Sequence, residues 1–309
     1  MWTLGIDTSN YATSLAVFDT AAREVVCAKK RFLPVKEGQL GLRQSEALFH
    51  HTSVLPQMLQ ELAELADLTR VERVGVSARP RPVEGSYMPC FLAGVSAASA
   101  FAAARNLPLL HTTHQQGHIA AALLATGERE LFGRECLVFH ISGGTTDLIL
   151  YQGIDRLTEL GSSTDLYAGQ AVDRVGVRLG FGFPAGADVS ALAAQCPERI
   201  APKVSVRGLS CSLSGLENQC DRLLKEDKSP AYVCKYCLLC VAETVVRMSK
   251  NALELYPGLP VVCAGGVMSS ELIAGYVSRR LPQVYFVPGM FSSDNAIGVA
   301  ALAGGIDRG

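Results

Sequence analysis

The chain has 309 residues, of which 49% are hydrophobic and 18% are charged, and its formal net charge is −1. This composition excludes an intrinsically disordered protein, and the length exceeds the usual size of a single hydrophobic core. A net charge near zero provides no global positive field for nucleic acid, so a polyanion has to be met by a local patch or by a partner subunit.

The cysteine content and the first residues favour a reducing compartment. The chain has ten cysteines, and it starts MWTLGID, without the basic and long apolar segments of a secretory signal. Residues 91–110 are apolar and alanine-rich, but Arg105 and Asn106 interrupt them. Their small side chains suit helix packing inside a protein. We therefore expect a cytoplasmic protein without a membrane span.

The chain begins with a predicted hairpin. Residues 2–6 and 14–18 are apolar, and they flank a polar tip that starts at Asp7. An acidic residue at the end of a strand, followed by hydroxyl side chains and amides, suits a phosphate or metal-phosphate site. Asp7 and Ser9 are therefore candidate nucleotide-binding residues, and an ordinary Thr/Ser-rich turn is the alternative.

A helix, a strand, a loop and a second helix are predicted next. Apolar residues recur at helical spacing over residues 44–66, and residues 71–76 form an apolar strand. A loop rich in proline, arginine and glycine then precedes a helix over residues 91–105. Two small basic clusters, residues 29–31 and Arg79 with Arg81, are interpreted as solvated surface.

The most informative stretch is HTTHQQGH at residues 111–118, which holds three of the six histidines. His114 and His118 are four residues apart, so a helix places both imidazoles on one face, where they can bind one cation. A metalloprotease carries a glutamate inside such a pair, but here the intervening residues are Gln115, Gln116 and Gly117, which disfavours peptide hydrolysis. Histidines that only satisfy the end of a buried helix are the alternative, and a third ligand has to come from elsewhere.

A second hairpin repeats the pattern of the first. Residues 136–140 and 148–151 are apolar and flank a hydroxyl- and glycine-rich tip. We interpret the repeat as a duplication that gives an α/β fold of two lobes, each with a hairpin tip facing a shared cleft. Paired glycines let backbone N–H groups approach an anion, although a tight structural hairpin gives the same pattern. The candidate residues of this tip are Ser142, Gly143, Gly144 and Thr145.

The rest of the chain adds two glycine-rich candidate segments. A helix over residues 166–179 carries Asp173 and is followed by a loop that ends at Gly186. The strand 261–264 is broken by Gly265 and Gly266 before a helix predicted to start at residues 267–270, an arrangement suited to a flat ligand such as adenine.

A long core helix and a short closing helix complete the prediction. The helix over residues 231–255 contains Cys234, Cys237 and Cys240, which we interpret as buried thiols because no fourth ligand is near. Asp294 precedes the closing helix 296–303, where it is also a candidate N-cap.

Taken together, these motifs resemble the TsaD/Gcp family in order and spacing from residue 3 to about residue 303, as in a divergent bacterial paralogue. They are Gly5-Ile-Asp7-Thr8-Ser9, His114 with His118, Ser142-Gly143-Gly144, Gly169-Gln-Ala-Val-Asp173, Pro184-Ala-Gly186, Ser212-Leu-Ser214-Gly215, Ala264-Gly-Gly266-Val267 and Ser293-Asp294-Asn295. The resemblance implies an actin, sugar-kinase and heat-shock-ATPase fold with duplicated mixed sheets around a nucleotide cleft. The implied lobes are residues 1–131 and 132–290, and residues 291–309 close back on the first lobe.

The resemblance also implies an acyltransferase activity. The family transfers a threonylcarbamoyl group from threonylcarbamoyl-adenylate, an ATP-derived substrate, to the exocyclic amine of adenosine 37 in tRNA. Its members bind tRNA with partner subunits, so we expect a heterodimer with a TsaB-like paralogue or a homodimer.

Residue by residue, the family's motifs assign a metal site and a nucleotide site. His114, His118 and Asp294 become ligands of one iron or zinc ion, with His140 as a candidate fourth ligand. Ser142, Gly143 and Gly144 become the catalytic loop at the phosphate and carbamoyl groups, and Asp173 and Gly186 hold the ribose. The remaining nucleotide-binding candidates are Asp7, Ser9, Thr145, Gly265, Gly266 and Ser270.

The sequence departs from the family at several positions. Asn10-Tyr11-Ala12 stands where the family commonly has Cys-Asp-Glu, and Gln116 and Gln170 each replace a glutamate. Leu166 replaces an aspartate, and Glu217 replaces a lysine. Thr145 replaces a histidine or asparagine, and Ser270 replaces an asparagine. Two alternatives to transfer onto tRNA therefore stay open: a nucleotide-binding, non-catalytic scaffold of the TsaB type, and a carbamoyl transferase with a different acceptor. An ATP-dependent kinase or ATPase is less favoured, because no catalytic carboxylate stands out.

Overall fold

The computed structural model of the chain describes residues 1–9, 12–34, 42–288, 291 and 296–307. The chain divides into two compact units. Unit 1 comprises Met1–Arg134, Gly153–Asp155 and Ser293–Gly309, and unit 2 comprises Glu135–Gln152 and Arg156–Ser292.

Unit 1 is built on a five-stranded mixed sheet. Its strands are β1 (Trp2–Thr8), β2 (Ala12–Asp19), β3 (Glu24–Phe32), β4 (Val71–Arg79) and β5 (Leu109–Thr113). They lie in the order β3-β2-β1-β4-β5, with the first three antiparallel and with β1, β4 and β5 mutually parallel. The carboxyl ends of β1, β4 and β5 therefore lie at one edge of the sheet, which is where ligands bind in open α/β sheets.

The two faces of this sheet are covered differently. Helices α1 (Gln44–Leu65) and α2 (Phe91–Ala104) pack on one face, where β1 and β4 supply Leu4, Ile6, Val74 and Val76 to the core. The intervening residues Gly5 and Gly75 are paired in register and face the C-terminal helix (Ala296–Ala303). This alternation follows from the two-residue period of a strand.

The C-terminal helix approaches its neighbours at backbone distance. A Cβ on Gly5 would lie 2.1 Å from the carbonyl oxygen of Ala296. On the other side, a Cβ on Gly298 would lie 1.9 Å from the carbonyl oxygen of Gly117, which belongs to α3 (His114–Ala125). Only glycine fits these two contacts, so the C-terminal helix is packed between the sheet and α3.

Unit 2 repeats the strand order of unit 1. Its strands are β6 (Cys136–Ile141), β7 (Thr146–Tyr151), β8 (Leu157–Ser162), β9 (Ser205–Arg207), β10 (Ser210–Ser212), β11 (Val261–Ala264) and β12 (Val284–Phe286). Five of them form a sheet in the order β12-β11-β6-β7-β8, with β6, β7 and β8 antiparallel and with β11 and β12 parallel to β6. The duplication and the α/β fold of two mixed sheets are thereby confirmed.

The helices of unit 2 surround one large core. They are α4 (Ala168–Arg178), α5 (Gly186–Ala194), α6 (Ser214–Lys225), α7 (Pro230–Leu255) and α8 (Glu271–Ser278). The three cysteines of α7 are buried in this core, as predicted, and burial raises the pKa of Cys234 to about 12. No helix within the described residues is long and apolar enough to cross a membrane.

The structure departs from the sequence-based expectations at helices α6 and α8. Helix α6 is absent from the prediction because its first residues, Ser214 and Gly215, resemble a turn. The helix expected from residue 267 begins at Glu271, because a 3₁₀ turn over Gly266–Ser269 comes first. Gly265, with φ of 102°, turns the chain out of β11 in a conformation that other residues rarely adopt.

Candidate functional site

The histidines at positions 114 and 118, hereafter the histidine pair, lie in the first turns of α3. This helix starts directly after β5, and Thr113 caps it by accepting a hydrogen bond from the backbone N–H of Gln116. The two imidazole rings are 4.6 Å apart between centroids, at an interplanar angle of 74°. They therefore lie side by side on one face of the helix, as their spacing predicts.

Asp7 lies against this pair, at the end of β1. Its buried carboxylate accepts a hydrogen bond from Nδ1 of His114 at 2.9 Å and another from the backbone N–H of Ser9 at 3.0 Å. Burial raises the pKa of the Asp7 carboxyl, but the charge and hydrogen bond of His114 and the amide of Ser9 outweigh it, so the pKa is lowered. An ionised carboxylate on Nδ1 fixes the ring orientation and the tautomer whose Nε2 carries the lone pair that binds metals.

His51 of α1 contacts Ser9, which follows β1, and Thr13 of β2. Its Nε2 donates to the carbonyl oxygen of Ser9 at 2.7 Å, and its Nδ1 accepts from Oγ1 of Thr13 at 2.7 Å. Burial lowers the pKa of His51, which favours this neutral form. The sequence analysis missed His51, although it falls on the buried face of α1 with Leu55, in helical register.

The donor set at the histidine pair fits a divalent transition metal, because two imidazoles with one oriented by a carboxylate are typical ligands of zinc and iron. Asp294, the predicted third ligand, lies outside the described residues. The C-terminal helix that follows it packs on Gly117, between the two histidines. Among the described residues, no group of three or more His, Cys, Asp or Glu side chains is placed so that it could hold a metal ion.

His140, the candidate fourth ligand, belongs to unit 2. It is buried on β6, and its Nδ1 lies 3.4 Å from Oγ1 of Thr145. Thr145 is also hydrogen-bonded to Oγ of Ser142 at 2.9 Å. His140 is therefore in contact with the glycine-rich tip between β6 and β7.

The glycine-rich tip has a defined geometry. The backbone N–H of Gly144 donates to Oγ of Ser142 at 3.2 Å, while the backbone N–H of Ser142 donates to the carbonyl oxygen of Thr145 at 3.0 Å. Gly143 and Gly144 are exposed, and a Cβ on either would meet nothing within 4 Å. This leaves the outer side of the tip accessible to an anion.

The start of α4 and the loop after β11 support this tip. A Cβ on Gly169 would lie 2.6 Å from the backbone nitrogen of Gly143, and a Cβ on Gly265 would lie 2.1 Å from the carbonyl oxygen of Ile141. Gly265 is thus adjacent to the residue that precedes Ser142. The loop continues through Gly266 to Ser270, which is buried with its Oγ 3.5 Å from Oγ of Ser190.

Asp173 and Gly186, the predicted ribose-binding residues, lie next to one another. Oδ1 of Asp173 accepts from the backbone N–H of Ala185 at 2.8 Å, and the amide of Gly186 also contributes. Burial raises the pKa of the Asp173 carboxyl more than these two amides lower it. Asp173 therefore anchors the first residues of α5.

Asp165 is a second residue that the sequence analysis did not assign. Its carboxylate accepts hydrogen bonds from the hydroxyl of Ser214 at 2.6 Å, from the hydroxyl of Ser212 and from the backbone N–H of Leu213 at 2.8 Å. Burial opposes ionisation, but these donors and the amide of Leu166 hold the pKa of Asp165 well below its usual range. Its partners Ser212, Leu213 and Ser214 all belong to the family motif Ser212-Leu-Ser214-Gly215.

The departures from the family have structural roles here. Leu166 is buried in the core of unit 2, and Glu217 forms an ion pair with Arg174 at 3.3 Å.

In unit 1, Lys29 and Arg31 both pair with Glu61 of α1. The basic cluster of β3 is therefore partly neutralised, in line with its interpretation as ordinary surface.

Solved structures with the same fold support the two-unit architecture. Component A of (R)-2-hydroxyglutaryl-CoA dehydratase from Acidaminococcus fermentans matches with a TM-score of 0.59 at 15% identity, covering 100% of both chains. A ROK family glucokinase from Streptomyces griseus matches with a TM-score of 0.53 at 12% identity, covering 99% of this chain and 100% of that one. At these identities the likeness concerns the fold, which is of the actin, sugar-kinase and heat-shock-ATPase type.

Sequence comparison identifies the family. The family model described as tRNA N6-adenosine threonylcarbamoyltransferase, TsaD, matches residues 29–301. A relative from Neorickettsia sennetsu with that same name is 29% identical over 313 residues, which cover 97% of this chain and 92% of the relative. The chain therefore belongs to the TsaD family, a family of transferases.

Proposed function

We propose that this chain transfers a threonylcarbamoyl group from threonylcarbamoyl-adenylate to the exocyclic amine of adenosine 37 in tRNA. The observation that carries the proposal is the histidine pair with His114 oriented by the buried carboxylate of Asp7, in a chain of the TsaD family. Burying an ionised carboxylate costs free energy, so the position of Asp7 against His114 indicates a function for the histidine pair. A scaffold without catalytic activity would gain nothing that offsets this cost.

In this proposal, the histidine pair and Asp294 hold one iron or zinc ion, with His140 as the candidate fourth ligand. A metal bound there would act as a Lewis acid on the carbamoyl carbonyl group. Asp7 fixes the ring orientation of His114 so that Nε2 can bind the metal, and His51 holds the backbone after Asp7 through the carbonyl oxygen of Ser9.

The residues of unit 2 are assigned to the adenylate. The Ser142–Gly144 tip lies at the phosphate and at the carbonyl oxygen of the reacting group, where the backbone N–H of Gly143 stabilises negative charge. The N–H groups of Ser142 and Gly144 donate within the tip and keep its shape. Asp173 and Gly186 hold the ribose, while Gly265, Gly266 and Ser270 face the base. Thr145, Asp7 and Ser9 complete the proposed nucleotide-binding set.

The reaction exchanges one bond for another. The amine nitrogen of the adenosine attacks the carbamoyl carbon, a C–N bond forms, and the C–O bond to the phosphate of the adenylate breaks. AMP leaves with the bonding electron pair, and the amine loses a proton. Asp165, held by its network of donors, is not assigned a proton-transfer role.

The acceptor RNA requires partner subunits in this proposal. The net charge is −1 and the cluster at residues 29–31 is paired with Glu61, so the chain offers little positive surface there for phosphates. We propose a TsaB-like paralogue or a second copy of the chain as the partner. We also propose a cytoplasmic location, where the ten cysteines, all free in the structure, stay reduced.

The test is transfer of radiolabelled threonine, supplied as threonylcarbamoyl-adenylate, to unmodified tRNA in the presence of candidate partner subunits. We expect His114→Ala to lower the transfer rate by about 100-fold or more, since removing a group that stabilises the transition state has effects of this size. His111→Ala, an exposed histidine three residues earlier, is the control.

Two other results would favour the alternatives. Equal transfer by wild type and His114→Ala would refute the metal site. No transfer by wild type, with adenylate still bound, would instead favour the non-catalytic scaffold or a transferase with a different acceptor.

A further inference from the structure

The side chain of Gln116 lies buried on α3 and forms four hydrogen bonds. Its Oε1 accepts from Oγ1 of Thr112 at 3.0 Å and from the backbone N–H of Thr113 at 2.9 Å. Its Nε2 donates to the carbonyl oxygen of Ile154 at 3.0 Å and to Oδ1 of Asp155 at 3.3 Å. Both lone pairs and both N–H groups of the amide are therefore used.

One half of this arrangement is a capping box. Thr113 accepts from the backbone N–H of Gln116 at 3.2 Å, and Oε1 of Gln116 accepts from the backbone N–H of Thr113 in return. Glutamate and glutamine serve equally at this position of a capping box. The capping half alone therefore does not explain an amide at position 116.

The other half does require an amide. The carbonyl oxygen of Ile154 can only accept a hydrogen bond, and an ionised Asp155 carboxylate can only accept as well. A glutamate at position 116 would present no donor to either group, and its charge would face the charge of Asp155. Gln116 is only 8% exposed and Ile154 is buried as well, so solvent cannot replace the lost donor at the carbonyl oxygen of Ile154.

The contacts of Gln116 fix the first turn of α3 on two sides. Thr112 and Thr113 are the last residues of β5, and Ile154 and Asp155 belong to Gly153–Asp155, a separate segment of unit 1. Gln116 lies midway between the two histidines of the pair, two residues after His114 and two residues before His118. Any tilt of this turn therefore changes the directions of both imidazoles together.

We propose that Gln116 is a positioning residue for the histidine pair, and that it sets the geometry of the pair without touching the substrate. The inference rests on the proposed function, because it takes the pair as the metal site. It also gives the replacement of the family's glutamate a physical reason: in this chain, the partners at Ile154 and Asp155 require an amide.

The central experiment compares Gln116→Glu with Gln115→Glu. Both variants add one negative charge to the first turn of α3, so their effects through the helix dipole are similar. The readouts are Tm of the metal-free protein and its affinity for Zn²⁺, measured by competition with a chelating dye.

For Gln116→Glu we expect a Tm lower by about 5 °C, because the buried carbonyl group of Ile154 and the carboxylate of Asp155 both lose their donor. We also expect an affinity for Zn²⁺ lower by about 10-fold, the usual effect of losing a group that orients a metal ligand. Gln115→Glu should leave Tm close to the wild-type value.

A rescue variant separates positioning from general damage. Asp155→Asn alone should be close to wild type, since its Oδ1 still accepts from Gln116. Combined with Gln116→Glu, Asp155→Asn supplies an N–H donor to the new carboxylate and removes the charge repulsion. The double variant should therefore recover part of both Tm and Zn²⁺ affinity.

Three outcomes overturn the inference in distinguishable ways. Wild-type Tm and Zn²⁺ affinity in Gln116→Glu would refute the requirement for an amide while leaving the proposed function intact. Loss of threonylcarbamoyl transfer with both quantities unchanged would place Gln116 on the substrate. A wild-type protein without affinity for Zn²⁺ would refute the metal site and, with it, the positioning role.

Discussion

The carboxylate of Asp7 and the imidazole of His114 are hydrogen-bonded at 2.9 Å, although the two residues are 107 positions apart in the chain. The parallel pairing of β1, β4 and β5 brings them to the same edge of the unit 1 sheet. This contact joins two motifs that the sequence presents separately. It gives Asp7, a candidate nucleotide-binding residue, the further role of orienting a candidate metal ligand.

Removing the charge of Asp7 tests this orienting role. An asparagine at this position can donate as well as accept, so it no longer selects one tautomer of His114. We expect Asp7→Asn to weaken the binding of Zn²⁺ by about 10- to 100-fold, as for other partners of metal-binding histidines. Isothermal titration of the metal-free protein measures the change. Asp19→Asn, which alters a carboxylate at the far end of the same hairpin, should leave Zn²⁺ binding unchanged.

The close contact between Gly298 and Gly117 predicts a large effect of a single methyl group. In Gly298→Ala the new Cβ would meet the carbonyl oxygen of Gly117 at 1.9 Å, which only a backbone shift relieves. We expect the free energy of unfolding to fall by about 3 kcal/mol, at the upper end of overpacking effects. Chemical denaturation measures this change. Gly133→Ala, where a Cβ meets nothing within 4 Å, should change it by no more than about 0.5 kcal/mol.

Restoring family residues at two positions, one in α4 and one just before it, should change stability by very different amounts. Leu166 is buried in the core of unit 2, so Leu166→Asp places an uncompensated carboxylate there. We expect a loss of about 3 kcal/mol or more in the free energy of unfolding. Gln170→Glu changes an exposed residue and should be close to neutral. A Leu166→Asp variant as stable as wild type would show that the core tolerates the family's aspartate.

Asp165 predicts a pH dependence of stability. Its pKa is lowered in the folded protein from an ordinary value of 3.8, so the folded state binds this proton more weakly than the unfolded state does. The stabilisation is therefore present above about pH 4 and is lost as the pH falls through the lowered pKa. We expect Asp165→Asn to be less stable than wild type at pH 7, and the difference should shrink towards pH 2.

The donors around Asp165 provide the matched control. Ser212→Ala combined with Ser214→Ala keeps the carboxylate but removes two of the hydroxyl groups that lower its pKa. Urea unfolding between pH 2 and pH 7 should therefore show a pH dependence between those of wild type and Asp165→Asn. A double variant with the full wild-type pH dependence would contradict this assignment.

Features that depend on neighbours in the chain are predictable from the sequence alone. The periodicity of apolar residues predicts α1 and α7 within about one residue of their observed ends, and the i, i+4 spacing places the histidine pair on one face. The repeated hairpin pattern predicts the duplicated sheets. Local periodicity is sufficient for these features because burial of one face decides them.

Contacts between side chains that are far apart in the chain depend on strand order and helix packing, which the sequence does not show. Asp7 reaches His114 because β1 and β5 end at the same edge, and Gln116 requires an amide because a segment nearly forty residues later presents two acceptors. A residue type and its spacing specify what a side chain can donate or accept, whereas strand order and helix packing specify which partner it finds. For this reason the sequence named most of the candidate residues, and the fold supplied their partners.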